Sequence, residues 1–424
     1  MKRSLSNVSP SLGLLVAGTA LVATTYGLVR LAYGLLLPDV QAELGLDDAT
    51  AGAISSGASV LYGIGALAGF VLSGTHPRLL VVLSGLTAAG GAAGAALSSD
   101  VPTFAAATVV GSAGAGLASP ALVSIVRRGV PAPREGRSQS IVNSGTGPGL
   151  AVAGLLALLL LPDWRTAWAV AAGATALAAT AVLLLDRPGP VTSPSTRPGQ
   201  PARRGLPDLP GRGWVVGHAH LLVAALLLGA GSAAVWTYGR TLLVASGASD
   251  VVSVMAWIAL GLGGAVVAAT ARPLAALRSP VAWAVTVGAV SVGTLLLAAA
   301  PQSAAAALAA CAVFGWGYTA ATGVLITWTT EIAPVHAASG TSLLFVVLVL
   351  GQAGGAAGAG ALVGAAGMPA TFVVAAAVTG AGVLVALRRR APAAGERAQD
   401  ARSRRSTGSA AQARTERTAG PRPR

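Results

Sequence analysis

The chain has 424 residues, of which 54% are hydrophobic and only 10% are charged. Because a soluble globular protein carries roughly 25% charged residues, this composition excludes a large water-soluble domain. The formal net charge of +14 is compatible with nucleic-acid binding, but the charge pattern described below argues against that class. The sole cysteine, Cys311, excludes an internal disulfide bond.

Long apolar stretches dominate the chain, and each is close to the roughly 20 residues that cross a bilayer. Twelve of them are predicted, near 12–37, 49–73, 78–98, 102–125, 138–161, 165–185, 217–243, 251–271, 280–300, 303–328, 339–364 and 369–387. The first is too long for a cleavable signal peptide and runs on to Pro38. The sequence therefore predicts an all-α integral membrane protein with twelve transmembrane helices.

A segment rich in Pro, Gly and Arg separates these stretches into two sets of six. We predict an N-terminal six-helix bundle (1–185), a cytoplasmic linker (186–216), a C-terminal six-helix bundle (217–387) and a basic, disordered cytoplasmic tail (388–424). The halves repeat weakly, since Thr-Tyr-Gly precedes an arginine in the first and seventh spans. Pseudo-symmetric halves with the substrate between them are a known transporter plan.

Basic residues accumulate in one set of alternate loops. That set carries Arg78, Arg127, Arg128, Arg134, Arg137, the linker arginines, Arg272 and Arg278, whereas the other set carries only Arg165. Lys and Arg are enriched in short cytoplasmic loops. We therefore expect a multi-pass protein of the plasma membrane with both termini in the cytoplasm, and no nucleic-acid partner.

Two arginines, Arg30 and Arg240, and no carboxylate lie inside the predicted spans. Arg30 is spaced four residues from Tyr26 and three from Tyr33, so the three share one face of a regular helix. A cation in hydrocarbon is costly and usually faces a cavity or a partner, and guanidinium suits carboxylate or phosphate. Arg30 is therefore a candidate for binding an anionic substrate; a structural role, with the stem reaching the headgroups, is the alternative.

Other polar and aromatic residues of the spans are weaker candidates for the substrate site. Arg240 lies near the end of its span, where contact with headgroups is an equal alternative, and Trp236 shares its face. Aromatic side chains can form the wall for an amphipathic substrate or simply fill the core, and amides can bond a substrate or a neighbouring helix. The remaining candidates are Tyr62, Tyr238, Trp257, Trp316, Tyr318, Asn143 and Gln352.

Small residues are concentrated in the fifth and eleventh spans. They allow helices to approach closely in lipid, and a proline can kink its helix. We expect a close-packed interface about which the halves rock, formed with the second and eighth spans; tight packing alone is the alternative. The candidate residues are Gly145, Gly147, Pro148, Gly149, Gly354 and Gly358.

Three local motifs resemble the major facilitator superfamily of transporters. RLAYGLLLP at 30–38 is similar to the first span of the YbfB-like group, in the branch of sugar- and drug-efflux permeases. GTGPG at 145–149 resembles the Gly-Pro motif of the fifth span in antiporters, and DWRTAW at 163–168 resembles the entry to the sixth span. The resemblance covers 12–387 and implies two six-helix bundles. Some organic-phosphate exchangers of the superfamily use an arginine pair in the first and seventh spans.

The sequence also departs from the superfamily pattern. Ser73 stands where the loop after the second span normally carries Asp, and the usual arginine of the fourth span is missing, although Pro120 fits its end. These departures weigh against the charge relay, and the proton antiport, associated with those motifs.

These patterns favour a monomeric secondary transporter that exports a small organic solute, with a carboxylate or other anion contacting Arg30. A uniporter or exchanger of a neutral solute, with Arg30 structural, is the main alternative; a channel, a membrane-embedded enzyme or a receptor is more remote. We find no phosphate-binding loop, metal motif or nucleophile–base pair, so no cofactor and no metal are expected. The expected partners are the solute, the lipid bilayer, and a coupling proton or counter-substrate.

Overall fold

The computed structural model describes residues 10–130, 132–186 and 212–387, and in these residues all regular secondary structure is helical. Within these ranges, twelve helices are long and apolar enough to cross a membrane. We label them α1 (Pro10–Val22, Ala23–Arg30 and Ala32–Leu44 in succession), α2 (Asp48–Leu72), α3 (Pro77–Leu97), α4 (Val101–Gly129), α5 (Ala132–Asn143 and Thr146–Leu160), α6 (Trp164–Leu185), α7 (Ala219–Ala245), α8 (Asp250–Ala275), α9 (Ser279–Ala299), α10 (Ala304–Ile332), α11 (Ala337–Ala366) and α12 (Met368–Leu387).

The predicted all-α fold of twelve spans in two six-helix halves is confirmed. α1 to α6 form the first half, and α7 to α12 form the second. Most of the predicted linker and all of the predicted tail lie outside the described residues. The end of the predicted linker belongs to a short helix, Arg212–Gly217. The Trp214 ring of this helix stacks on His218, which precedes α7, with ring centroids 3.7 Å apart.

Two faces of the bundle follow from the helix order. The terminal face is the one at which α1 begins and α12 ends. The opposite face carries the α1–α2, α3–α4 and α5–α6 turns and their counterparts in the second half. At the opposite face, the Thr50 N–H donates to Asp47 over 2.6 Å, which caps α2 and lowers the pKa of that carboxyl.

Helix α1 is longer than predicted, because it continues through Pro38 and ends at Leu44. Proline removes one backbone donor, but a membrane helix tolerates it when neighbouring helices pack around the freed carbonyl. The actual stop is Gly45, whose φ of +67° is the left-handed conformation that favours glycine at a helix end. The expectation that no carboxylate lies in a span is therefore wrong, since Asp39 and Glu43 belong to α1.

The middle of α1 is wound as a π-helix over Ala23–Arg30, and its end is marked by the Leu31 N–H donating to the Tyr26 carbonyl over 2.8 Å. Helix α5 crosses α1 here, and the two meet backbone to backbone. A side-chain atom added at Gly27 would collide with the Gly149 backbone, and one at Gly149 would collide with Ala23. Short π segments are frequent at functional sites, and this one ends on Arg30.

Helix α5 is broken between Asn143 and Thr146. Pro148 lacks the N–H that would bond the Ser144 carbonyl four residues earlier, which accounts for the break. Gly145 lies against the Thr19 carbonyl and against the backbone of Ala23, so the break in α5 packs where the π segment of α1 begins.

The two halves meet through α1 with α7, α2 with α11, and α5 with α8. Glycines make these contacts close: Gly52 lies against Ala356, and Gly261 against Leu150. Among the described residues, hydrogen bonds join the halves at mid-membrane and toward the opposite face. These bonds hold the halves together on the side of the opposite face.

The close-packing prediction for Gly354 and Gly358 is not met, because a side-chain atom added at either would have no neighbour within 4 Å. Gly351 and Gly355 make the tight contacts of α11 instead, against the backbone of α7. Composition marks α11 as glycine-rich, but only the rotation of the helix decides which glycines face a neighbour.

Two matched substitutions test the glycine contacts. We expect Gly149→Ala to lower stability by about 1–3 kcal/mol, because the backbones of α1 and α5 cannot separate without strain. Gly354→Ala, in open space, should be neutral or slightly stabilising. Apparent melting temperatures of the purified variants in detergent measure both; equal melting temperatures would refute the packing argument.

Candidate functional site

A small cavity lies between the halves, where α1, α2, α7 and α11 meet. Its volume is about 40 Å³, enough for a few water molecules. The polar residues of its wall are Arg30, Tyr33, Ser55, Ser59, Trp236, Thr237 and Gln352. Pockets for drug-sized ligands occupy roughly 300–1,000 Å³, so this conformation is contracted around the site.

Arg30 is the only charged residue of the cavity wall among the described residues, and it has no carboxylate partner there. Its Nη2 donates to Gln352 Oε1 over 3.2 Å, which joins α1 to α11 across the halves. Its guanidinium carbon lies 3.9 Å from the centroid of the Tyr62 ring on α2, a cation–π contact. A neutral amide and an aromatic face hold this cation, and its charge stays uncompensated.

Gln352 is fixed from both ends of its amide. Nε2 donates to the Tyr318 hydroxyl on α10 over 2.8 Å, while Oε1 accepts from Arg30. The side chain is buried, with 6% of the residue exposed. A chain of contacts therefore runs from α1 through α11 to α10.

The spacing of Tyr26, Arg30 and Tyr33 in a regular helix predicted a guanidinium flanked by the phenols of Tyr26 and Tyr33. In the structure, the aromatic contact of the guanidinium is with Tyr62 instead. The Tyr26 hydroxyl lies 3.0 Å from the Tyr62 hydroxyl, which places Tyr26 beside the aromatic partner of Arg30. Tyr33 turns its hydroxyl to the Ala51 carbonyl over 2.9 Å. Tyr26 and Arg30 both lie in the π segment, so their spacing is not that of a regular α-helix. Tyr62 of α2 provides the phenol ring that contacts the guanidinium.

The predicted aromatic residues of the second half partly converge. Trp236 contacts Trp257, Phe314 and Tyr318, with ring centroids 6.2, 5.5 and 5.3 Å away. Among these, Trp236 lines the cavity, and its indole N–H is buried with no hydrogen-bond acceptor in the described residues. Sequence reasoning missed Phe314, Ser55 and Ser59, because apolar and small residues in a span carry no functional signal of their own.

Three other predicted site residues lie away from the cavity. The Trp316 indole N–H donates to the Thr270 hydroxyl over 2.9 Å and ties α10 to α8 within the second half. Asn143 is exposed at the break in α5. The Tyr238 hydroxyl donates to the Asp48 carbonyl over 2.5 Å, where α7 meets α2 near the opposite face.

Arg240 is buried in an ion cluster near the opposite face, with 1% of its side chain exposed. It pairs with Asp39 of α1 and, over 3.0 Å, with Asp250 of α8. It also donates to the Leu35 carbonyl over 2.7 Å and to the Ser253 hydroxyl over 3.1 Å. Arg240 therefore joins the two halves outside the cavity, and its charge is compensated by carboxylates. The predicted first span ended before Pro38 and therefore left Asp39 at its boundary rather than inside it.

A second ion cluster lies at the terminal face within the first half. Asp186, which the sequence analysis placed in the linker, is buried at the end of α6 and pairs with Arg128 of α4 and with Arg78 of α3. Arg78 also donates to the Asp186 carbonyl over 2.6 Å. This cluster holds the ends of α3, α4 and α6 together, and all of its residues belong to the first half.

The fold and the cavity between its halves define a multi-pass membrane transporter. The chain belongs to the Major Facilitator Superfamily, whose family model matches residues 18–339. The chain is therefore a transporter and not an enzyme. No protein among those with curated functions matches it.

Solved transporter structures share the fold at low sequence identity. A bacterial homologue of the human lysosomal transporter Spinster, inward-facing and unoccupied, is 15% identical, with a TM-score of 0.70 over 92% of this chain and 100% of that one. The nucleoside transporter NupG is 14% identical, with a TM-score of 0.72 over 90% and 100%. A POT family transporter in complex with 5-aminolevulinic acid is 13% identical, with a TM-score of 0.71 over 89% and 95%. At these identities the likeness concerns the fold alone.

Removing Arg240 should loosen the opposite face. In a Cys311→Ser background with Ser55→Cys at the cavity wall, we expect Arg240→Ala to increase the rate of labelling by a membrane-impermeant maleimide added from the opposite face. Breaking an ion pair between halves leaves carboxylates unpaired and favours separation. The control is Arg165→Ala, which removes an arginine paired with Glu43 inside the first half. Equal labelling in both variants would contradict a sealing role.

Proposed function

We propose that this transporter exports a small organic anion by alternating access, with the anion bound at Arg30. The observation that carries the proposal is the uncompensated guanidinium in the cavity wall between the halves. A carboxylate-bearing substrate would supply the missing charge.

The contrast with Arg240 supports this assignment. A buried charge is tolerated when it is paired and hydrogen-bonded, and Arg240 has two carboxylates, a carbonyl and a hydroxyl. Arg30 has one amide oxygen and an aromatic ring. The planar guanidinium fork can still donate in a bidentate manner to a carboxylate or phosphate.

The hydrogen-bonding character of the wall points the same way. Both ends of the Gln352 amide are occupied, and the Ser55 and Thr237 hydroxyls bond each other over 2.8 Å across the halves. The groups with spare capacity include the guanidinium and the Trp236 indole N–H, which donate only. A ligand rich in acceptors, such as an organic anion, complements these donors. The aromatic group around Trp236 offers an apolar surface to its body.

Alternating access fits the contacts between the halves. We assign the moving units to the predicted 1–185 and 217–387, with 186–216 as their linker. Arg240 and Tyr238 would close the opposite face, and the glycine-lined contacts of α2 with α11 and of α5 with α8 would let the backbones slide. Gly145, Gly147, Pro148 and Gly149 supply the irregular, close-packed part of α5 in this movement. The contracted cavity must widen to admit a substrate.

Direction, location and coupling are part of the same proposal. The GTGPG motif at 145–149 favours export in the efflux branch of the superfamily, and the arginines at the terminal face favour a plasma-membrane protein with cytoplasmic termini. We propose a monomer coupled to a proton or to a counter-substrate.

A carrier of a neutral solute is the second candidate. The hydrogen bond from Arg30 to the Gln352 amide and the cation–π contact of Arg30 with Tyr62 favour this candidate, because together they make the guanidinium a structural link between α1, α2 and α11. In that case a neutral solute would be transported equally with and without the guanidinium.

Substitution of Arg30 separates the two candidates. The assay uses proteoliposomes loaded with a panel of radiolabelled solutes (succinate, benzoate, phosphate and neutral sugars). We expect Arg30→Ala to reduce anion exchange by roughly tenfold or more, because the variant loses one charge-assisted hydrogen bond to the anion. Arg30→Lys should recover part of it, because an ammonium keeps the charge without the fork.

The matched control is Arg165→Ala at the opposite face. Anion exchange at wild-type rates in both Arg30 variants would refute the anion proposal. Exchange of a neutral solute that is unchanged in Arg30→Ala would establish the second candidate.

A further inference from the structure

One residue of the cavity wall already occupies the guanidinium of Arg30. The Gln352 Oε1 atom accepts from Arg30 Nη2 over 3.2 Å. Arginine only donates, so the amide oxygen must be the atom that faces it, and the amide nitrogen is left to donate to Tyr318. The orientation of the amide is therefore fixed by its two partners.

We propose that Gln352 is an internal stand-in for the substrate, occupying Arg30 while the site is empty and giving it up when an anion binds. This inference rests on the proposed function. It assigns to Gln352 the role of a competitor for the guanidinium and of a positioning residue, whereas the substrate's own oxygens are the contacts of the bound state.

Charge decides the exchange. The amide of Gln352 is neutral, so its hydrogen bond to Arg30 leaves the positive charge uncompensated and is weaker than a bond between two ions. A carboxylate offers two oxygens and a full negative charge to the same fork. A carboxylate can therefore displace the amide, whereas a neutral solute gains little by doing so.

The exchange also connects binding to the halves. The Arg30–Gln352 bond runs from α1 to α11 and, with the Ser55–Thr237 bond, links the halves at mid-membrane. When an anion takes Arg30, the link to α11 is released and Gln352 keeps its bond to Tyr318 within the second half. Substrate binding thus replaces a bond between the halves with a bond to the substrate.

Replacing the stand-in by a real countercharge gives the sharpest test. Gln352→Glu places a carboxylate beside Arg30, and the Tyr318 hydroxyl can turn to donate to it. In protein without ligand, we expect Gln352→Glu to raise the apparent melting temperature, and Arg30→Ala in the same chain to abolish the gain. The control is Asn143→Asp, the same change at the exposed amide of α5, which should not raise it. A melting temperature of Gln352→Glu at or below that of Gln352→Ala would overturn the proposal.

Binding gives the second arm. The probe is whichever of acetate, succinate, benzoate or inorganic phosphate raises the wild-type melting temperature most. We expect Gln352→Glu to bind it roughly tenfold or more weakly, since the guanidinium is already neutralised. Gln352→Ala should bind it as tightly as wild type or more tightly, because the competitor is gone. Asn143→Asp should bind normally.

The outcomes separate the two ideas. Weakened binding in Gln352→Ala comparable to that in Gln352→Glu would make the amide a direct ligand contact and overturn the stand-in. Wild-type protein that binds none of the four probes would count against the proposed anion transport, while the ligand-free melting temperatures would still decide whether Gln352 shields an uncompensated Arg30.

Discussion

A guanidinium inside a bundle of apolar helices must find both acceptors and a countercharge, and the arrangement of the two halves depends on how this demand is met. Near the opposite face, Arg240 satisfies it with Asp39 and Asp250, and in doing so joins α7 of one half to α1 of the other. At mid-membrane, Arg30 has an amide and an aromatic ring but no carboxylate among the described residues. The guanidinium of Arg240 therefore joins the halves near the opposite face, whereas the guanidinium of Arg30 lacks a countercharge that an anion can supply.

The position of Arg30 is set by backbone packing rather than by its own neighbours in sequence. The π segment of α1 and the break in α5 lie against each other, and Gly27, Gly145 and Gly149 permit the contact because any side chain there would collide with the facing backbone. Arg30 contacts the Tyr62 ring of α2, whereas Tyr33, which also lines the cavity, bonds the α2 backbone. The glycines therefore permit the irregular winding of the part of α1 that carries Arg30.

The sequence was sufficient for the fold and for the identity of the main candidate, and insufficient for its partners. Twelve spans follow from apolar length, which the bilayer dictates directly. Arg30 follows from the cost of a charge in hydrocarbon. The link from Arg30 to Gln352 joins residues far apart in the chain, and no periodicity within one helix encodes it. Asp39 was left outside the predicted first span because Pro38 was taken as a helix end. Asp39 lies four residues after Leu35, so both residues are on the face of α1 that contacts Arg240. Gly354 and Gly358 were preferred over Gly351 and Gly355 because composition does not give the rotation of a helix.

The central claim is that the cavity recognises the negative charge of its substrate through Arg30. The most direct measurement compares the binding of matched ligand pairs by isothermal titration, each an acid and its neutral amide of nearly equal shape, such as benzoate with benzamide and succinate with succinamide. We predict that at least one acid binds the wild-type protein and that its amide binds roughly tenfold or more weakly, since the amide cannot neutralise the guanidinium. Equal affinity for an acid and its amide would contradict it.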